Sequence, residues 1–345
     1  MRSAGDPIAV LEQAYDLSAT EDVWLEQIAE AIVRCIGGGG GVFVFDIHAA
    51  SIVAENAFVS YELAESDHRT AIRALGMTND GFLANGFARD LLLGNTMCGT
   101  LHSLVGDRRS IDSLAPLLDL QGFWAPRDVL GIIGRNPDGT GLGFSSPLPA
   151  RSRLRKAFVT QWTCIATHLA AALRLRRSLT VRASEDGESV IDPSNSRIAH
   201  AVGPAKAEAA QVALRSAVRA VDRARSHVGR ADPLSATELW RGLVAGRWTL
   251  IERYESDGRR YYVAHRNEPQ SPALRALTLR ERQVVAYAIQ GQANKLIAYA
   301  LGINPSTIAN HLTSAQRKLG VRSRTELIQL ASLLQAARTS NTDAT

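Results

Sequence analysis

Between residues 294 and 312 the chain reads NKLIAYALGINPSTIANHL, and the four residues at its centre leave little choice of backbone. Gly302 closes a segment with helically spaced apolar residues and suits the left-handed position that ends a helix. Asn304 suits the cap of a new helix, and Pro305 its first turn, where a missing N–H is no loss. Two short helices must therefore meet at a tight turn, which is a helix–turn–helix arrangement.

The flanks extend this reading. Thr278 and Glu281 form a capping box, and the helix they open carries Val284, Val285, Ala288 and Ile289 inward until Gly291 stops it. A second helix, from about Ala293 to Leu301, turns Ile297, Ala300 and Leu301 inward. In the third helix, steps of about 100° per residue gather Ile308, Leu312, Ala315 and Leu319 on one side. Ser306, Asn310, Thr313 and Arg317 collect on the other, with Ala309 and Gln316 beside them. Such a short, polar, nearly uncharged face fits a DNA major groove, where Asn can pair with adenine and Thr can touch a thymine methyl. Ser323 and Glu326 form another capping box, opening a fourth helix with an apolar stripe of Leu327, Leu330, Ala331 and Leu334.

The run LTLRERQVVAYAIQGQANKLIAYALGINPSTIANHLTSAQRKLGVRSRTELIQLA is similar to the LuxR-type helix–turn–helix domain of bacterial transcription regulators. The match spans roughly residues 276–337 and rests on LTLRE, the GQANK run, LGI, the ST-I and HL pairs, and KLGVRSRTE. The resemblance implies an all-α four-helix domain that places Pro305–Leu319 in the major groove of double-stranded DNA. It further implies binding to short inverted repeats as a homodimer and contact with RNA polymerase. Ser306, Ala309, Asn310 and Thr313 are then the expected base-facing residues. Asn294, Lys295, Thr307, Arg317, Lys318, Arg322 and Arg324 are expected along the phosphate backbone, and Leu327, Leu330 and Leu334 at a dimer interface. Three positions depart from the pattern. Many relatives carry Lys or Arg where this chain has Ala309, and Glu where it has Leu296 and Tyr299.

The charge distribution agrees with an anionic partner for this end. Of 39 basic and 34 acidic residues, nine and three lie in residues 273–345, leaving 30 and 31 in the rest. The entire basic excess falls in the last fifth of the chain.

Upstream, residues 7–36 have helical spacing, broken near SATED. The glycines of 37–41 stop that helix, and GVFVFDI reads as a buried strand with AASIVAENAFVS as its hairpin partner. Residues 154–179 form a long helical stretch ending in LRLRR, whose Arg174, Arg176 and Arg177 read as a solvated terminus. Helix, central strands and a closing long helix resemble a GAF- or PAS-like sensor. A strand–turn–strand around DPSNS, a helix near 204–228 and a hairpin at Asp257-Gly258 make a second small α/β, PAS-like unit. The expected organisation is thus an α+β sensor-like region over 1–182, a second unit over 183–268, a linker over 269–275, the DNA-binding domain over 276–338 and a disordered tail over 339–345.

Enzyme chemistry has little support. There is no GxxxxGK phosphate loop and no HxxxH or HExxH pattern for a metal. Cys98 and His102 lie four apart without a third partner fixed by spacing. Asp46 ends a strand as a phosphoacceptor does, but a preceding acidic pair is missing. Three widely spaced cysteines build no disulfide framework, no window is apolar enough to cross a membrane, and the N-terminus resembles no export signal. The expectation is a cytoplasmic, non-enzymatic regulator without cofactor or metal. Its signal is an unknown small molecule, or alternatively a protein partner; Trp24, Trp124 and Trp162 read first as aromatic core and second as the lining of a pocket.

Overall fold

The computed structural model describes residues 5–36, 41–48, 51–61, 97–100, 102–103, 128–148, 150–182, 187–240, 244, 247–255, 258–269 and 277–330. The N-terminal helical stretch divides where the sequence breaks, into α1 (Pro7–Ala14) and α2 (Glu21–Ile36). Asp6 caps α1 by accepting the Ile8 N–H, with Pro7 at its first position. α2 lies against an antiparallel sheet, and α1 packs on α2.

That sheet holds β1 (Val42–His48), β2 (Ser51–Tyr61), β3 (Cys98–Thr100), β4 (Asp128–Arg135) and β5 (Gly141–Leu148), in the order β2-β1-β5-β4-β3. β1 and β2 form the expected hairpin, with a register shift between Phe45 and Asp46. The glycines at 37–40, Trp124, and the side chain of Asp46 lie outside the described residues. The 27-residue helix α3 (Lys156–Arg182) lies across β4 and β5. It comes so close at Gly134 that a Cβ there would stand 2.1 Å from the Ala166 carbonyl oxygen, so this position excludes any side chain.

The second sheet has β6 (Ser189–Asp192), β7 (Arg197–Ala201), β8 (Trp248–Tyr254) and β9 (Arg260–Arg266) in the order β7-β6-β9-β8. Both hairpins read from the sequence are present, β6–β7 and β8–β9; Asp257 itself is outside the described residues. Between them run α4 (Glu208–Arg225), the single turn α5 (His227–Arg230) and α6 (Pro233–Leu239).

One continuous set of buried apolar side chains runs from Ile8 in α1, through Trp24, Phe144 and Trp162, to Tyr262 and Ala264 in the second sheet. Trp24 and Trp162 are thus core residues, 0% and 1% exposed; the Trp24 indole N–H donates to the Ala14 carbonyl at 3.1 Å. The end of α3 differs from the solvated terminus expected. Arg174 is buried, donating to Asn136 and Asn267 side chains. Arg176 is buried too, donating to the Asp16 and Ala19 carbonyls and stacking over Trp24 at 4.8 Å. Guanidinium groups satisfy several buried acceptors at once, which is how a basic run came to be interior.

The C-terminal unit has its own apolar cluster, from Leu277 to Leu327. It comprises α7 (Leu279–Ile289), α8 (Asn294–Leu301), α9 (Pro305–Leu319) and a fourth helix beginning at 324 and described as far as 330. No described helix is long and apolar enough to cross a membrane.

Candidate nucleic-acid interface

The turn between α8 and α9 is built as its residues require. Gly302 sits at φ 64°, in the left-handed region, and ends α8. Asn304 accepts the Ser306 N–H at 3.0 Å and its Oδ1 also takes the Ser306 hydroxyl at 2.9 Å. The capping box at the start of α7 is complete: the Thr278 hydroxyl accepts the Glu281 N–H, and the Glu281 carboxylate accepts the Thr278 N–H at 2.8 Å.

Glu281 does more than cap. Its carboxylate also receives the Ser314 hydroxyl and the Lys318 ammonium, both at 2.7 Å, one helical turn apart on α9. Burial would raise its pKa, but the bonds from Lys318, Thr278 and Ser314 outweigh it and hold Glu281 down at about 2. The first helix is thereby bolted to α9 by a charge 4% exposed.

On α9, Ile308, Leu312 and Ala315 are buried and Leu319 half-buried. Ser306, Ala309, Asn310, Thr313 and Arg317 are all exposed, so a continuous polar face lies open opposite the core stripe. Thr307 is half-buried. Among the expected phosphate-facing groups, Arg317 and Arg322 are exposed. Asn294, Lys295, Lys318 and Arg324 have partners within the chain. Lys295 pairs with Glu238 of α6 at 3.2 Å, a solvent-exposed contact of a kind that holds weakly. Arg324 donates to the Asn294 side chain and the Gln292 carbonyl, each at 2.6 Å, clamping the start of α8.

The fourth helix starts with Ser323 accepting the Glu326 N–H at 3.1 Å. The Glu326 carboxylate in turn accepts the Arg322 N–H at 2.8 Å, one residue before the position a reciprocal box would use. Leu327 is fully buried in the unit's own core and Leu330 half-buried; Ala331 and Leu334 lie outside the described residues.

Two of the departures noted in the sequence have a visible role. Leu296 packs against the N-terminal apolar cluster rather than that of its own unit. The Tyr299 hydroxyl meets the Thr237 and Trp240 carbonyls and His168 Nε2 of α3. Sequence reading flagged both positions but assigned them no partner, because their partners lie far along the chain. Gln290 adds a bond to the Asn136 carbonyl at 2.6 Å, and Gln283 one to that of Pro269 at 3.3 Å. The helical unit is therefore seated on the α/β body through α7 and α8, while α9 faces outward.

Other chemistry is muted. Burial pushes the thiols of Cys35, Cys98 and Cys164 up to about 12, which leaves them protonated at neutral pH. Among the described residues no group of three or more His, Cys, Asp or Glu is arranged to hold a metal.

This arrangement defines a helix–turn–helix module with an open polar face, carried on an α/β body. Residues 275–331 match the family of bacterial regulatory proteins named for luxR. Over 52 residues the chain is 40% identical to the spore germination protein GerE of Bacillus subtilis, covering 15% of this chain and 70% of that protein. It is 41% identical over 61 residues to the transcriptional regulatory protein FixJ of Azorhizobium caulinodans, covering 18% of this chain and 29% of that one. The monoamine regulon transcriptional regulator of Klebsiella aerogenes is 40% identical over 72 residues, 21% of this chain and 31% of its own. The chain thus spans under a third of the length of these last two relatives. It belongs to the luxR family of bacterial regulatory proteins.

Proposed function

We propose that the chain is a sequence-specific, DNA-binding transcription regulator that acts in the cytoplasm as a homodimer and contacts RNA polymerase. The observation that carries this reading is the open face of α9, where Ser306, Ala309, Asn310 and Thr313 are exposed on one side of a helix whose other side is core. Asn310 and Thr313 read base edges, and Arg317, Arg322 and the N-terminal end of α8 hold the backbone. Leu330 and Leu334 meet the second copy, with Leu327 supporting them from within.

The sensor-like role of the N-terminal region is supported by the seating of α8 on it. A signal that alters α3 or α6 reaches the module through His168, Thr237 and Trp240, which all touch Tyr299. The five-stranded sheet backed by helices supports a GAF- or PAS-like reading of that region.

Selection of duplexes from a randomised pool by the full-length chain tests the central claim. An enriched inverted repeat is the expected result, and a pool that stays random after repeated rounds overturns it.

A further inference from the structure

We propose that the outer face of α4 is a second docking surface for the phosphate backbone of DNA, flanking the helix–turn–helix module. The inference rests on the DNA-binding reading above and extends it to a part of the chain outside residues 275–331.

Residues 197–230 hold seven Lys/Arg and two Asp/Glu, and the fold sorts them by direction. The inward arginines are neutralised: Arg225 pairs with Glu12 and Glu252, and Arg230 with Glu12 and Asp6. Arg215, Arg219 and Arg223 point the other way into an open groove of about 440 Å³ between α4 and α6. Among the described residues none of the three has a carboxylate partner. They stand at i, i+4 and i+8, where like charges weaken a helix instead of supporting it. A salt-bridge-laced exposed face alternates signs at that spacing, and this one does not. Ser216 and Ala220 between them are small; Arg219 and Arg223 are exposed, and Arg215, half-buried, donates to the Gln211 side chain at 3.3 Å.

The position is held as well as charged. Arg219 Nε donates to the Ser196 hydroxyl at 3.1 Å, and Ser196 is buried at φ 56°, a left-handed conformation unfavourable for serine. Arg197 follows it, exposed.

The location favours nucleic acid over an acidic protein. Glu238 lines the groove from α6, and its charge is taken up by Lys295 at the start of α8. The stripe and the phosphate-facing end of the module therefore share one wall. From Arg215 to Arg223 the helix rises about 12 Å, over which one strand of B-form DNA offers three to four phosphates at about 3.4 Å each.

The test uses the full chain and a duplex it selects from a randomised pool, with affinity measured between 50 and 200 mM salt. The Arg215→Gln/Arg219→Gln/Arg223→Gln variant should lose about two to three units of the slope of log affinity against log salt, at about 0.9 per phosphate. Its selected sequence should not change. The single variant Arg223→Gln, whose side chain bonds nothing described, should lose about one unit and keeps the test open if the triple variant does not fold. An unchanged slope in a folded variant overturns the inference alone. So does a variant that keeps the slope but loses affinity for poly-glutamate, which would assign the stripe to an acidic polypeptide. A wild-type chain that selects no duplex overturns the DNA-binding reading, and the inference with it.

Discussion

His168 and Tyr299, 131 positions apart in the chain, meet edge to face with ring centroids 5.3 Å apart. The imidazole is fully buried, and its Nε2 also faces the Trp240 carbonyl at 2.6 Å. A carbonyl can only accept, so Nε2 carries the proton and Nδ1 accepts from the Tyr15 hydroxyl at 2.9 Å. The Tyr299 hydroxyl in turn donates to a backbone carbonyl of α6 or its end. One neutral histidine thus joins α1, α3, the end of α6 and the second helix of the DNA-binding module.

Removing the phenol oxygen should loosen that joint without emptying it. Tyr299→Phe keeps the ring, and His168 keeps Trp240, so the expected loss is about 1 kcal/mol of stability. Hydrogen exchange in Asn294–Leu301 should quicken while α3 stays protected. Equal protection of both helices in the variant and the wild type would deny the joint its role.

The same histidine sets a pH dependence. Burial pushes it down to about 3, against 6.5 when exposed. Below pH 6.5 the unfolded chain therefore takes up a proton that the folded chain refuses. Stability from this group is constant above 6.5 and falls as pH drops from 6.5 toward 3, by about 1.4 kcal/mol per unit. Denaturation midpoints of the wild type and His168→Gln at pH 7.5, 6.5 and 5.5 would reveal it. The wild type should lose more between 6.5 and 5.5 than the variant.

Glu281 titrates with the same sign, in a more acidic window. Its folded pKa of about 2 lies below the ordinary 4.5, so its contribution is complete above 4.5 and lost as pH falls toward 2. Glu281→Gln keeps the shape but removes the charge shared by Thr278, Ser314 and Lys318. At pH 7 it should cost about 1–3 kcal/mol, with the difference shrinking below pH 4.5. Thermal unfolding across that range is the measurement.

For base reading, Asn310→Ala should relax preference at one position of the selected site by about 1–3 kcal/mol. Arg317→Gln should instead weaken all sequences alike and lower the salt slope by about one unit. Swapped phenotypes would mean that the face of α9 has been assigned the wrong way round.

What could be read from the chain was local. Gly302, Asn304 and Pro305, the Thr278–Glu281 box and the stripe of Ile308, Leu312 and Ala315 all depend on neighbours within a few residues, and each is where the sequence put it. Leu296 and Tyr299 stood out as departures, yet their partners on α3 and α6 could not be inferred from spacing. Arg174 and Arg176 misled because a basic run suggests water, whereas their acceptors are carbonyls and amides of distant segments. The stripe on α4 was hidden by averaging: 30 cations against 31 anions upstream of residue 273 conceal a helix whose charges are separated by side. At Ser323 the composition was right, but the return bond landed one residue early.

The α/β body shares one apolar interior across both sheets, while the module keeps a second interior of its own. Nothing within the first can shift without opening a void, and close-packed interiors resist that. The boundary between the two interiors is mixed: Leu296 reaches across to the first, and beside it lie the Tyr299–His168 contact and bonds from Gln283 and Gln290. The module is therefore fastened along a narrow seam instead of sharing a core, and that seam alone fixes the direction in which the open side of α9 faces.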